Sequence, residues 1–182
     1  LPQYPSIAPA ATVYASVSLG GSANLRLEML AYDGRLVMED ESFWLTIAGV
    51  GAELALSGDD VSVGFDVGTV ELSDGATGIM VVGIALGLET SDSVSELALS
   101  FDLDELSVSD ADSETQLDVQ SVAGSGSSKS FLPHIWLGEN SFSIKRVSLA
   151  VDETAVEALN IRVSGAIDED VDSKLAASSL LN

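Results

Sequence analysis

The chain has 182 residues, with 29 Asp plus Glu against 7 Lys plus Arg, and a net charge of −22 at pH 7. A polyanion of this size is repelled by nucleic acid and by anionic membrane surfaces, which argues against both as partners. The hydrophobic content of 46% is too high for a disordered acidic chain, so the composition predicts a folded domain. Cysteine is absent, which leaves neither a disulfide framework nor a thiol nucleophile. No apolar run reaches the roughly 18 residues that a membrane-spanning helix needs, so we expect no membrane span.

The first 21 residues differ from the rest of the chain. Three of the four prolines lie within the first nine positions and predict an extended arm. Strict alternation then predicts a half-buried strand, whose apolar face carries Val13, Ala15, Val17 and Leu19. Gly20-Gly21 separates this strand from the next alternating run, and no acidic residue precedes Glu28. We therefore treat residues 1–21 as an arm and residues 22–182 as one domain.

The remaining chain is a series of short alternating runs separated by turn residues. Asp33-Gly34 and Asp74-Gly75 are dipeptides that two-residue hairpin turns prefer, and Gly58-Asp59-Asp60 predicts another turn. The Gly- and Ser-rich stretch 123–130 predicts a surface loop. Helix is predicted only over 152–159 and after residue 172. The pattern predicts an all-β fold, an antiparallel β-sandwich or jelly-roll with an extended N-terminal strand arm.

The residues that carry enzyme chemistry are scarce in this chain. His134 is the only histidine, and it lies between apolar neighbours in the stretch FLPHIW. No serine lies in a nucleophile motif, and a tetrahedral zinc site cannot be assembled from one histidine without cysteine. Carboxylate pairs suited to a glycosidase are too numerous for the sequence to single one out. We therefore expect that the protein is not an enzyme.

Two stretches carry carboxylates at alternate positions, an arrangement that can converge on a hard cation such as Ca²⁺. They contain Asp110, Asp112 and Glu114 in the first stretch, and Asp168, Asp170 and Asp172 in the second. In a chain this acidic, solvated turns produce the same pattern, and both interpretations stay open. Trp44 and Trp136 are further candidates, since exposed tryptophans bind sugar rings, whereas tryptophans in β-sandwiches more often lie in the core.

The N-terminal strand has two alternatives. It folds back as the edge strand of its own sheet, or it inserts into the next subunit and completes that sheet. The Gly20-Gly21 hinge, the lack of charge and the high apolar content of the body favour the exchange. A head-to-tail contact of this kind does not close and therefore generates a filament.

In this respect the sequence resembles secreted fibre subunits that polymerise by donor-strand complementation, such as chaperone–usher pilins and bundling-pilus subunits. The resemblance covers residues 9–21 and the all-β body, and its motif is the alternation of Val13, Ala15, Val17 and Leu19. The chain departs from pilins because it has no cysteine pair and ends in SSLLN. The resemblance implies a secreted, extracellular homopolymer that serves adhesion, cell–cell contact or biofilm.

The alternative is a secreted monomeric β-sandwich that binds carbohydrate or calcium, with surface glycans as partners. A chain that begins at Leu1 is consistent with secretion after removal of a leader. The charge of −22 also predicts that assembly is promoted by divalent cations, salt or mild acid, because close packing of like charges is costly at low ionic strength.

Overall fold

A computed structural model describes residues 11–38, 41–91, 95–132 and 135–167. These residues form ten strands in one antiparallel sheet, and the described part contains no helix. The strands are β1 (Ala11–Val17), β2 (Ser22–Met29), β3 (Tyr32–Met38), β4 (Glu41–Ser57), β5 (Asp60–Ser73), β6 (Thr77–Ser91), β7 (Glu96–Asp110), β8 (Thr115–Leu132), β9 (Ile135–Val151) and β10 (Thr154–Ile167).

The order across the sheet is β1-β2-β4-β5-β6-β7-β8-β9-β10, with β3 paired to β4 beside β2. The 17-residue β4 pairs with β2 through residues 50–57 and with β3 through residues 41–47. The prediction of a hairpin turn at Asp33-Gly34 is therefore wrong, because both residues lie inside β3 and pair with Thr46 and Leu45. A long partner strand allows β2 and β3 to follow one another along it instead of pairing together.

The other two turn predictions are confirmed. Gly58 has a φ of 63° and connects β4 to β5 through a two-residue turn with Asp59. Between β5 and β6, the Asp74 carboxylate accepts hydrogen bonds from the backbone N–H groups of Ala76 (2.9 Å) and Thr77 (2.7 Å). Aspartate is favoured in such turns because its short side chain reaches its own following backbone.

Two other expectations are wrong. The stretch 123–130, expected as a loop, lies inside β8 and pairs with β7 and β9. Residues 152–159, expected as a helix, form the β9–β10 turn and the first half of β10. Glycine and serine are tolerated in β8 because the strand is paired on both sides, with β7 and with β9. Residues after 167, including the second predicted helix, lie outside the described residues.

The all-β, antiparallel prediction is confirmed, whereas the layering differs from a sandwich. A sandwich packs two sheets face to face, about 10 Å apart. Here every described strand belongs to one sheet. Val122, at 8% exposure, is accordingly the one hydrophobic residue that the described part of the chain buries.

A row of seven residues crosses the sheet from β4 to β10 and interrupts every ladder on the way. Backbone pairing skips this row and resumes in the same register on its far side. On alternate strands its residue has a positive φ: 65° at Gly49, 67° at Gly83, 51° at Ser121 and 56° at Asn160. We call it the bulge row; its members are Gly49, Gly68, Gly83, Asp104, Ser121, Lys145 and Asn160.

The apolar alternation changes phase at the bulge row in every one of these strands. In β4 the apolar residues are Phe43, Leu45 and Ile47 before it and Val50, Leu54 and Leu56 after it. Each of the seven strands contributes one residue to this row, so the row acts as one added position in all of them at once, and an added position reverses the faces of the side chains beyond it. The phase change compensates for that reversal, so both halves of each strand direct their apolar residues to the same face.

Candidate functional site: an apolar face and two free edges

The predicted donor-strand residues lie at one edge of the sheet. β1 pairs with β2 over its full length, and no described strand pairs with its outer side. Val13 is 59% exposed, Val17 82%, and Leu19 lies beyond the end of β1 in the hairpin turn. Ala15 is exposed as well. In the single chain the N-terminal strand thus occupies the folded-back position, and its outer backbone groups remain available to another strand.

Gly20-Gly21 belongs to the turn of this hairpin. The N–H of Ser18 donates to the carbonyl of Ser22 at 2.8 Å, and the N–H of Gly21 donates to the carbonyl of Ser18 at 3.2 Å. Gly21 has a φ of 87°, which glycine adopts without strain. The opposite edge of the sheet is β10, whose 14 residues are all exposed.

Asp110, Asp112 and Glu114 lie at the β7–β8 turn. Asp110 accepts from the Ser113 hydroxyl at 2.7 Å and from the N–H of Asp112 at 3.0 Å. These two hydrogen bonds hold the pKa of Asp110 below its ordinary value, since they favour the ionised carboxylate. Asp110 therefore caps this turn.

Asp168, Asp170 and Asp172 lie outside the described residues, as does His134. Within the ranges that the structure does describe, no three His, Asp or Glu side chains are grouped so as to hold a metal ion. Trp44 and Trp136 are 52% and 39% exposed and lie at opposite ends of the sheet, on β4 and β9. The structure does not bring them together.

The dominant feature is one that the sequence analysis missed, a continuous apolar face over β4–β10. It consists of six cross-strand rows, two before the bulge row and four after it. The row just after the bulge row contains Val50, Val67, Ile84, Leu103, Val122, Ile144 and Ile161. We define the apolar face by its outermost rows, which run from Leu45 to Val156 at one end and from Leu56 to Ile167 at the other.

No residue in these six rows is charged. Nevertheless many of the side chains are open to solvent: Leu86 is 46% exposed, Leu99 52% and Phe142 41%. Contiguous exposed apolar patches larger than a few hundred Å² mark interaction sites on soluble proteins. The apolar face is therefore the strongest candidate for a binding surface.

The opposite face carries the charge. Glu53, Asp66, Glu89, Glu96, Asp102 and Glu139 alternate with the apolar residues of the second half of the strands. Lys129 forms an ion pair with Glu96 there, and Arg146 pairs with Glu157 nearer the other end. We call this side the acidic face.

A groove of about 830 Å³ lies near one end of the sheet and is lined by residues from β4 to β10. Ser57, Ser62, Glu96, Lys129 and Glu139 supply its polar groups. Apolar residues line it as well, among them Val61, Leu97 and Ile167 of the apolar face's outermost row.

A salt bridge at the groove perturbs one carboxyl group. The hydrogen bond from the Lys129 ammonium lowers the pKa of Glu96, and a hydrogen bond from the Ser91 hydroxyl (3.1 Å) lowers it further. Lys129 and Glu96 are cross-strand partners on β8 and β7. The pair therefore links the two strands at the open end of the sheet.

A signal for the apolar face is present in the sequence. Each strand from β4 to β10 shifts its alternation by one residue near its middle, for example between Leu103 and Leu106 in β7. Treated as one uninterrupted alternation, β7 would present two apolar half-faces on opposite sides. The shift indicates one apolar face only when the seven strands are aligned in register and all show the shift in the same cross-strand row.

The fold and this surface define a class: an antiparallel single-sheet module with one apolar face and with unpaired edges at β1, β3 and β10 in the described residues. Residues 8–179 match the family model described as bacterial protein of unknown function (DUF945), so the chain belongs to this family. Neither the curated proteins nor the solved structures include a significant match. The structure has no helix long and apolar enough to cross a membrane among the residues it describes.

Proposed function

We propose that this protein is a structural subunit of an extracellular filament, in which β1 of one copy adds to the free edge of the next copy's sheet. The observation that carries the proposal is the state of β1. It is a seven-residue edge strand without charge or proline, and all of its residues are exposed. Native proteins usually protect an edge strand with charge, proline or a covering segment.

The other edge supplies an acceptor. β10 is exposed along its length, and one of its charged residues, Glu157, is already paired with Arg146 on β9. Addition of β1 to β10 joins two different edges, so the contact is head-to-tail and leaves a free edge at each end. Repetition of such a contact produces an open filament. The proposal keeps the N-terminal strand as donor but replaces insertion into a groove by addition at an edge.

The test compares the full chain with Thr12→Lys/Ser16→Lys, whose charges lie on the acidic side of β1, by negative-stain electron microscopy and sedimentation. Both positions are exposed, so the substitutions leave the hairpin folded while placing charges on the edge. The matched control is Ser100→Lys/Ser109→Lys, which adds the same charge to exposed sites of the interior strand β7. We expect filaments from the parent and the control and none from the edge variant. Absence of filaments from the parent chain under all salt conditions overturns the proposal.

The groove favours a second candidate function, a monomeric binding module for carbohydrate or calcium. Its serine hydroxyls and carboxylates, which lie among apolar residues such as Leu97 and Leu137, offer hydrogen-bond partners for a polyhydroxylated ligand and oxygen ligands for a hard cation. Calorimetry of the edge variant with Ca²⁺ and a glycan panel tests this candidate. It is supported by saturable binding that Glu96→Gln weakens and excluded by the absence of heat.

A further inference from the structure

We infer that the apolar face is the interface with a second copy of this chain, and that two sheets pack face to face to form an intermolecular sandwich. A sheet must bury its hydrophobic face against another layer, and the described chain provides none. This contact uses a surface different from the edges of the proposed filament. It does not depend on edge addition.

The area of the face fits a stable dimer. Six spacings of about 4.8 Å between seven strands and eleven rises of about 3.3 Å along twelve residues give roughly 1,000 Å² for the apolar face. A standard protein interface buries about 800 Å² on each partner. The face is therefore large enough for a specific dimer and broader than one lipid chain or one peptide strand would cover.

The charge distribution permits a second copy to pack on the apolar face. The six rows of the apolar face contain no charged residue, and the carboxylates of these strands lie on the acidic face. Face-to-face packing keeps the two acidic faces on the outside, where water and counterions screen them.

The relief of the face is suited to interdigitation. Gly124 lies between Phe101 and Phe142 in one cross-strand row, and Gly126 lies beside Leu99 in the next. The glycines leave a depression along β8 that is flanked by large side chains on β7 and β9. Side chains from two inner faces interdigitate in a β-sandwich. We expect large residues of the second copy to fill the depression.

The experiment measures the mass of the chain by sedimentation equilibrium in the Thr12→Lys/Ser16→Lys background, where edge addition is blocked and the new charges lie on the acidic side of β1. Leu99→Lys and Ser100→Lys place the same charge on adjacent residues of β7, on the apolar and the acidic face respectively. We expect a dimer for the background and for Ser100→Lys, and at least a tenfold weaker dimer for Leu99→Lys. Phe142→Lys and Ser141→Lys repeat the comparison on β9, and circular dichroism verifies that each variant remains a β-sheet.

The outcomes separate this inference from the filament. A monomeric background protein up to high micromolar concentration overturns the inference, as does equal weakening by the two members of a pair. A monomer that carries bound lipid by native mass spectrometry also overturns it. Loss of filaments in the edge variant with retention of a Leu99-dependent dimer supports both contacts, whereas a dimer without filaments in the parent chain leaves only the face-to-face contact.

Discussion

The carboxylate of Asp104 occupies the space into which a Cβ on Gly83 would project. The two residues face one another on β6 and β7 within the bulge row, and Gly83 has a φ of 67°. Both the space and the backbone conformation therefore require glycine at this position. The bulge row in turn decides that the apolar residues of both strand halves share one face.

We expect Gly83→Ala to destabilise the sheet. A left-handed conformation costs an L-residue about 1–2 kcal/mol, and displacement of the Asp104 side chain adds to this cost. Urea unfolding measures the change in free energy. Gly64→Ala on β5 is the control, because no atom lies within 4 Å of a Cβ placed there, and we expect a change near zero. Equal effects of the two substitutions would show that the bulge row is not a constraint.

The cap of the β5–β6 turn predicts a second stability effect. Asp74→Ala removes the acceptor for the N–H groups of Thr77 and Ala76, and we expect the loss of this turn cap to lower the unfolding temperature. Asp59→Ala, in the turn between β4 and β5, is the control because Asp59 accepts no such hydrogen bond among the described residues. Thermal unfolding of the two variants is compared at pH 7. A stability loss in Asp59→Ala as large as that in Asp74→Ala would contradict the assignment.

The same cap predicts how stability depends on pH. Hydrogen bonds from the N–H groups of Thr77 and Ala76 lower the pKa of Asp74 in the folded chain, and the Ser113 hydroxyl and the Asp112 N–H lower that of Asp110. A lowered pKa contributes stability that is present above the unfolded value, about 3.9 for aspartate, and is lost as the pH falls through the folded value. We therefore expect the urea concentration at the unfolding midpoint to decrease when the pH is lowered below about 4. In Asp74→Asn/Asp110→Asn this decrease should be smaller, because the two carboxylates are absent.

Whereas stability is expected to fall below about pH 4, assembly is expected to increase as the pH is lowered between 7 and about 5. Partial protonation of the carboxylates reduces the charge of −22 and with it the repulsion between copies. Filament mass, measured by sedimentation, should therefore rise as the pH falls from 7 to about 5 and decline below about pH 4, where the turn caps are lost. A filament yield independent of pH between 5 and 7 would contradict this expectation.

Cations provide a related prediction. At low ionic strength, Ca²⁺ or a few hundred millimolar NaCl should promote assembly, since the Debye length falls from about 30 Å at 0.01 M salt to about 10 Å at 0.1 M. A response to NaCl equal to that to Ca²⁺ at matched ionic strength indicates screening, and a response at micromolar Ca²⁺ indicates specific sites. Unchanged polymerisation in EDTA at low salt would be evidence against any role of charge.

The all-β class, the uncharged N-terminal strand and the turns at Gly58 and Asp74 could be predicted from the sequence, because alternation and turn chemistry depend on neighbouring residues only. The serine and glycine content of 123–130 predicted a loop for the same local reason, and the prediction failed because β7 and β9 pair with this stretch from both sides. Asp33-Gly34 failed as a turn because β4 is long enough to pair with β2 and β3 in succession. In each of the strands β4–β10 the apolar alternation shifts by one residue, and the folded sheet aligns these seven shifts in one row. This alignment creates the single apolar face. It could not be predicted, since the register between strands depends on residues that are distant in the sequence.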